Sequence, residues 1–139
     1  MALPEHLTLE IVTPEGLLLR EEVDEIVAPG EEGYFGIRPG HTPFLSTLGV
    51  GALSYRKGDQ WHYLSSFWGF CEVLPDHVSV LAEIGERGED IDIDRAETAL
   101  KRAEARMKEI RGEENYLSVQ APYIRAVTRL GVARKQRGR

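Results

Sequence analysis

The segment EDIDIDRAETAL, residues 89–100, sets Asp90, Asp92 and Asp94 on alternate positions, the spacing with which a calcium loop opens. That loop also needs a glycine at its sixth position, for a sharp turn, and a bidentate glutamate at its twelfth. Counted from Asp90, those positions hold Arg95 and Lys101, and two cations there would repel the ion. Calcium chemistry is set aside on this ground. Two readings remain, a helix cap and a site that reads another charge. Asp94 with Glu97 three residues on has the spacing of a capping box, which contributes about 1 kcal/mol, and Asp92 can pair with Arg95.

No other stretch offers a catalytic constellation. The glycines of GEEGYFGIRPG lack the lysine and hydroxyl residue of a phosphate-binding P-loop, and no serine sits in a nucleophile-elbow setting. Cys71 stands alone within an apolar strand, which excludes an internal disulfide framework and fits a reducing compartment. His6, His41, His62 and His77 are scattered without metal-ligand spacing.

The elements that must position these residues fall into two kinds. Up to about Ile84 the chain reads as strands: Leu7, Leu9 and Ile11 alternate in LTLEIV, and ALSYR, WHYLSSFWGFCEVL and VSVLAEI are rich in β-branched and aromatic residues. Turn chemistry separates them in TPEG (13–16), APGEEG (28–33), RPGHTP (38–43), RKGDQ (56–60) and LPDH (74–77). Short strands at close spacing with no helical stretch between them predict an antiparallel β-sandwich or barrel.

From Asp94 the period changes. Ala96, Ala99, Leu100, Ala103, Met107 and Ile110 mark one helix face, with Glu97–Lys101 and Glu104–Lys108 at i, i+4 elsewhere on the helix. An alanine stripe buries little area, so this helix is expected to dock weakly. Gly112 with Glu113, Glu114 and Asn115 is expected to stop it. A second helix is expected to begin or kink near Ala121 and Pro122, with Tyr123, Ala126, Val127, Leu130 and Ala133 on one face. The end VARKQRGR is expected to fray.

The chain of 139 residues fits one domain, or a small domain with an appendage, and no apolar run approaches the roughly 20 residues that span a bilayer. The start MALPEHLTLEI has no basic region followed by an apolar core, so nothing marks the chain for export. Its net charge of −6 conceals an asymmetry. Residues 1–94 carry 18 acids and 5 bases, a balance of −13, whereas residues 95–139 carry 5 acids and 12 bases, a balance of +7. The basic part is thus suited to an acidic partner, a polyanion or its own acidic neighbour. A nucleic-acid module is disfavoured by the acidic first part and by the lack of an aromatic-basic groove.

The stretch APGEEGYFGIRPGHTPFLSTL at residues 28–48, followed about fifty residues later by Ile91-Asp92-x-x-Arg95-Ala96 opening an alanine-rich helix, resembles the epsilon subunits of F-type ATP synthases. The opening LTLEIVTPEG, the FCEV and VSVLA strands and the helical end fall in that family's order, so the resemblance covers essentially the whole chain. It implies an α+β protein: an N-terminal antiparallel β-sandwich, residues 1–88, binding the gamma subunit and the c ring, then an antiparallel two-helix hairpin, residues 89–139. It further implies a non-catalytic rotor subunit of a proton-translocating enzyme, peripheral on the cytoplasmic face of the bacterial inner membrane. Its helices would fold down or extend towards the alpha and beta subunits and block ATP hydrolysis. No cofactor is obligatory; ATP is a regulatory ligand of some bacterial members. Carried over, Ile91, Asp92, Arg95 and Ala96 would contact the nucleotide, with Glu86 at the base and Arg102, Arg125 and Arg129 towards its phosphates. Glu32, Gly33 and His41 would lie on loops facing the c ring and gamma. A stand-alone adenine-nucleotide sensor or ligand-binding sandwich is the alternative.

Overall fold

The structure is a computed structural model that describes residues 3–109 and 113–138, the side chains of 113–119 excepted. Ile110 and Gly112, named above for the end of the first helix, lie outside the described residues. The chain divides into two compact units, Met1–Arg87 and Gly88–Arg139.

The first unit is built of β1 (Leu7–Thr13), β2 (Gly16–Val23), β3 (Glu25–Gly30), β4 (Gly33–Ile37), β5 (Phe44–Lys57), β6 (Gln60–Val73) and β7 (His77–Arg87). These join edge to edge in the order β2-β1-β7-β6-β5-β3-β4. The alternation read from LTLEIV holds: Leu7, Leu9 and Ile11 are buried, and Thr8, Glu10 and Val12 are less so. All pairings are antiparallel except β1 with β7, which is parallel from Thr8↔His77 to Val12↔Leu81. The expected all-antiparallel sheet is corrected at this one place. The pairs joined by short turns, β1–β2, β3–β4, β5–β6 and β6–β7, must run antiparallel, whereas β1 and β7 are separated in sequence by the rest of the sheet and are free to run together.

One continuous sheet becomes a sandwich because its two longest strands, β5 and β6, exchange faces partway along. On β6 the core side chains are Leu64 before the switch and Cys71 and Val73 after it; on β5 they are Leu48, then Leu53 and Tyr55. Side chains alternate with period two, so passing from even to odd positions turns the other face inward. No residue is inserted between β6 and β7, since Phe67↔Ile84 and Gly69↔Ala82 keep one register. The turn is made by backbone conformation, with Trp68 at φ 51° and Gly69 at φ 131°. Positive φ is uncommon for a bulky residue. At Gly69 only hydrogen fits, because a Cβ would run into the Leu81 carbonyl oxygen.

Both layers converge on one core, including Leu9, Ile26, Ile37, Leu53, Val73 and Val80. At the β5–β6 turn, Asp24 accepts from the Gly58 amide at 2.8 Å and lies 2.9 Å from the His6 ring. The Gly58 amide, and then His6, hold its carboxyl below the usual range. A folded pKa below the unfolded one means that this contribution is present above the ordinary carboxylate pKa and is lost as pH falls through the lowered value.

The second unit begins with a 3-10 turn at Gly88–Asp90, followed by α1 (Ile93–Glu109) and α2 (Glu113–Gln136). The two helices pack on one another. α2 starts at Glu113, so Glu113, Glu114 and Asn115 open this helix instead of forming the expected break, and Pro122 lies inside it. Polar residues that end one helical pattern also serve to open the next. The expected fraying is likewise corrected: α2 runs to Gln136, and Val132 and Ala133 are fully buried. On its predicted face Val127 is exposed, while Ala126, Leu130 and Ala133 are buried.

Replacing Gly69 by alanine is expected to cost about 2 kcal/mol or more, from positive φ combined with a backbone clash. Thermal unfolding of the full chain would register this as a clear fall in Tm. A variant melting with the wild type would show that the face switch is not fixed at Gly69.

Candidate functional site

The approach to α1 is built on two backbone turns and one side chain. Ile91 N–H donates to Gly88 O at 3.3 Å, and Ala96 N–H donates to Asp92 O at 3.0 Å in the first helical turn. Asp92 Oδ1 accepts from the Arg95 N–H at 3.1 Å. Asp92 is therefore the N-cap, its carboxylate satisfying a donor that has no partner within the helix. The expectation that Asp94 caps is corrected: Asp94 already lies in the first helical turn, where its charge meets the positive end of the helix dipole. The Asp92–Arg95 pair is real, but it is made by the arginine's backbone amide.

The family motif is thus divided by environment. Ile91 and Ala96 are buried, whereas Asp92 and Arg95 are exposed. Glu97 reaches across to Arg134 on α2 at 3.0 Å and fixes the register of the antiparallel helices. Counting five residues along each helix from that pair brings Arg102 level with Arg129, since equal steps on antiparallel helices travel together. Arg102 is exposed; Arg125 and Arg129, at i, i+4 on α2, are half-buried. The structure therefore gathers Ile91, Asp92, Arg95 and Ala96 at one helix start and the remaining arginines along the helices. Glu86 lies near the end of β7 in the other unit, half-buried.

The loop residues are placed as follows. Glu32 is exposed in the turn between β3 and β4, and Gly33 opens β4 at φ 134°. His41 is half-buried, and its Nδ1–H donates to the Thr42 carbonyl at 2.6 Å. It lines a pocket of about 360 Å³ with Glu25, Gly36, Arg38, Pro39 and Gly40. Glu25 there accepts from Arg38 at 3.4 Å and Arg56 at 3.2 Å.

Sequence reasoning missed a docking face. Thr47, Phe70, Leu81, Val12 and Leu17 pair in succession across β5, β6, β7, β1 and β2, so their side chains form one row on one face. Phe70 and Leu81 are each 54% exposed, Leu17 is 61% exposed, and Leu45 beside this row is 68% exposed. Isolated exposed apolar residues are ordinary, but a contiguous row marks an interaction surface. The signal was present in FCEV, where Cys71 and Val73 face inward and leave Phe70 outside.

Little here can do covalent chemistry. Burial pushes the Cys71 thiol up to about 12, so the nucleophilic thiolate is not formed near neutral pH. Among the described residues no group of three or more His, Cys, Asp and Glu could hold a metal. Nor is any described helix long and apolar enough to cross a membrane.

The fold is that of chains in two solved ATP synthase assemblies. One, from the Euglena gracilis mitochondrial ATP synthase, described as OSCP/F1/c-ring, matches with a TM-score of 0.80 at 21% identity, over 92% of this chain and 81% of that one. The other, from the Tetrahymena thermophila mitochondrial ATP synthase, described as central stalk/c-ring, has a TM-score of 0.62 at 13% identity, over 91% and 96%. The sandwich followed by two helices is therefore a fold class that this chain shares with those two chains.

Sequence comparison narrows this class. Residues 6–88 match the ATP synthase delta/epsilon chain β-sandwich domain, and residues 89–134 match its long α-helix domain. ATP synthase epsilon chain 2 of Syntrophotalea carbinolica is 51% identical over 130 residues, 93% of this chain and 94% of the relative. The epsilon chain of Geobacter metallireducens is 46% identical over 132 residues, 94% and 96% respectively. The chain belongs to the ATP synthase delta/epsilon chain family.

Assigning the cap to Asp92 has a direct consequence. Asp92→Ala is expected to destabilise α1 by about 1 kcal/mol, and Asp94→Ala by only about 0.3 kcal/mol through the helix dipole. Amide exchange in the first turn of α1 separates the two; equal effects would contradict the assignment.

Proposed function

We propose that the chain is a non-catalytic epsilon subunit of the central stalk of a bacterial proton-translocating ATP synthase. In this reading the sandwich couples the gamma subunit to the c ring at the cytoplasmic face of the inner membrane, and the hairpin restrains ATP hydrolysis. The carrying observation is the joining, in one chain matched along its length to this family, of a sandwich with an exposed apolar row and a separate, alanine-seamed helical unit. The row through Phe70 and Leu81 supports docking on gamma, because desolvating a contiguous apolar strip is what drives association of stable subunits. Glu32, Gly33 and His41 supply the polar loops for the c ring.

The hairpin supports regulation for a different reason. A switch requires two arrangements of similar free energy, and a seam of small side chains keeps the folded one from dominating too strongly. The extended arrangement would carry the basic helices to acidic surfaces of the alpha and beta subunits. ATP is the proposed signal for the folded one: Ile91, Asp92, Arg95 and Ala96 at the start of α1 would contact the nucleotide, with Glu86 at the base. Arg102, Arg125 and Arg129 would meet its phosphates, for which guanidinium forks are well shaped.

Two measurements test this reading. Truncation after Arg87 is expected to leave assembly with gamma intact while raising ATP hydrolysis by the reconstituted enzyme several-fold; unchanged hydrolysis would remove the inhibitory role. Calorimetric titration of the full chain is expected to detect ATP, and Arg95→Ala to abolish the signal. A flat wild-type titration at millimolar ATP would leave the motif as a helix cap alone.

A further inference from the structure

Arg137 lies just beyond α2, within the segment whose sequence suggests fraying. Both terminal nitrogens of its guanidinium donate to backbone carbonyls of its own unit. Nη1 donates to Gly88 O at 3.0 Å and to Ala133 O at 3.1 Å. Nη2 donates to Ile91 O at 2.9 Å, with Glu89 O more distant at 3.4 Å. One side chain thus ties the C-terminal end of α2 to the turn that leads into α1.

The chemistry suits the place. The Ala133 carbonyl lies in the last turn of α2, at the negative end of that helix's dipole, and although it and Gly88 O already accept the Arg137 and Ile91 amides, each carbonyl oxygen keeps a second lone pair for the guanidinium. A planar guanidinium offers five donors in fixed directions, so it can serve carbonyls of two elements at once; a lysine ammonium has no such fork. At one end of the hairpin the two helices are joined by the chain itself. At the other end non-covalent contacts must do this, among them Glu97–Arg134 on the surface and the Arg137 carbonyl cluster.

The geometry points to Arg137 as a clasp, a positioning residue that closes the open end of the hairpin and holds the backbone from which α1 starts. Ile91, whose carbonyl it grips, immediately precedes the capping Asp92. Opening the clasp therefore also loosens the start of the nucleotide motif, a consequence that rests on the regulatory reading above. The clasp itself does not depend on it.

The test is hydrogen exchange of the full chain without nucleotide, comparing wild type with Arg137→Ala, Arg137→Lys and, as a control, Lys108→Ala. Loss of charge-assisted hydrogen bonds is expected to speed exchange about tenfold in residues 91–96 and in the last turns of α2. The amides of β6 and β7 should keep their protection. Arg137→Lys should recover only part of the effect, and Lys108→Ala should resemble wild type. Exchange unchanged within twofold in Arg137→Ala would overturn the proposal, as would an equal loss of protection in the sandwich, which would make Arg137 a general stabiliser. An exchange effect accompanied by a silent ATP titration would keep the clasp and dismiss the nucleotide reading.

Discussion

Alanine sets the limits of the helical unit. Four of the six buried side chains described in α1 and α2 are alanines, Ala96, Ala103, Ala126 and Ala133, with Leu130 and Val132 as the larger exceptions. A seam of this kind lets two helix backbones approach closely but removes little apolar surface from water, so its hydrophobic contribution is small for its length. Polar contacts at the base consequently carry an unusual share of the closed state: the Asp92 cap, the Glu97–Arg134 pair and the carbonyl cluster around Arg137. Such contacts are each modest and can be exchanged for contacts with water or with another charged surface. That is the energetic character a reversible hairpin requires.

The sandwich has the opposite character. Its core is made of large aliphatic side chains from all seven strands, and an exchange of faces, marked on β6 by Trp68 and Gly69, allows β5 and β6 to contribute to both layers. The same device leaves one outer face available. Because Cys71 and Val73 are committed to the core, Phe70 must point outward, beside Leu81 on one side and Thr47 on the other. A body with an exposed apolar row and a helical unit with a weak seam are suited to different tasks, firm attachment and, in the proposed reading, regulated movement.

Much of this was legible in the sequence because it rests on local periodicity. The alternation of Leu7, Leu9 and Ile11, the turn residues between strands and the three-to-four spacing of Ala96, Ala99, Leu100 and Ala103 each report a face that must be buried. The family resemblance carried by PGHTP and Ile91-Asp92-x-x-Arg95-Ala96 agrees with the comparisons. What escaped was decided by tertiary context. The local capping-box spacing of Asp94 with Glu97 points to the wrong aspartate, since both precede a helical pattern and the choice depends on which residue leaves helical geometry. The parallel β1–β7 pair joins segments far apart in sequence. The face switch at Trp68 reads as a plain aromatic strand, and the order of the C-terminal segment depends on carbonyls almost fifty residues away that Arg137 reaches. The nucleotide-site assignment draws on family resemblance, with local geometry supplying only the cap and the shared helix face of Arg125 and Arg129.

With so small a seam, the hairpin should be a separate unit of low stability attached to a stable sandwich. Native-state hydrogen exchange of the full chain at increasing sub-denaturing urea measures this most directly. Amides of α1 and α2 are expected to open together at a free energy at least about 2 kcal/mol below that of β6 and β7, with a smaller dependence on urea. A single opening free energy shared by the helices and the strands would contradict it.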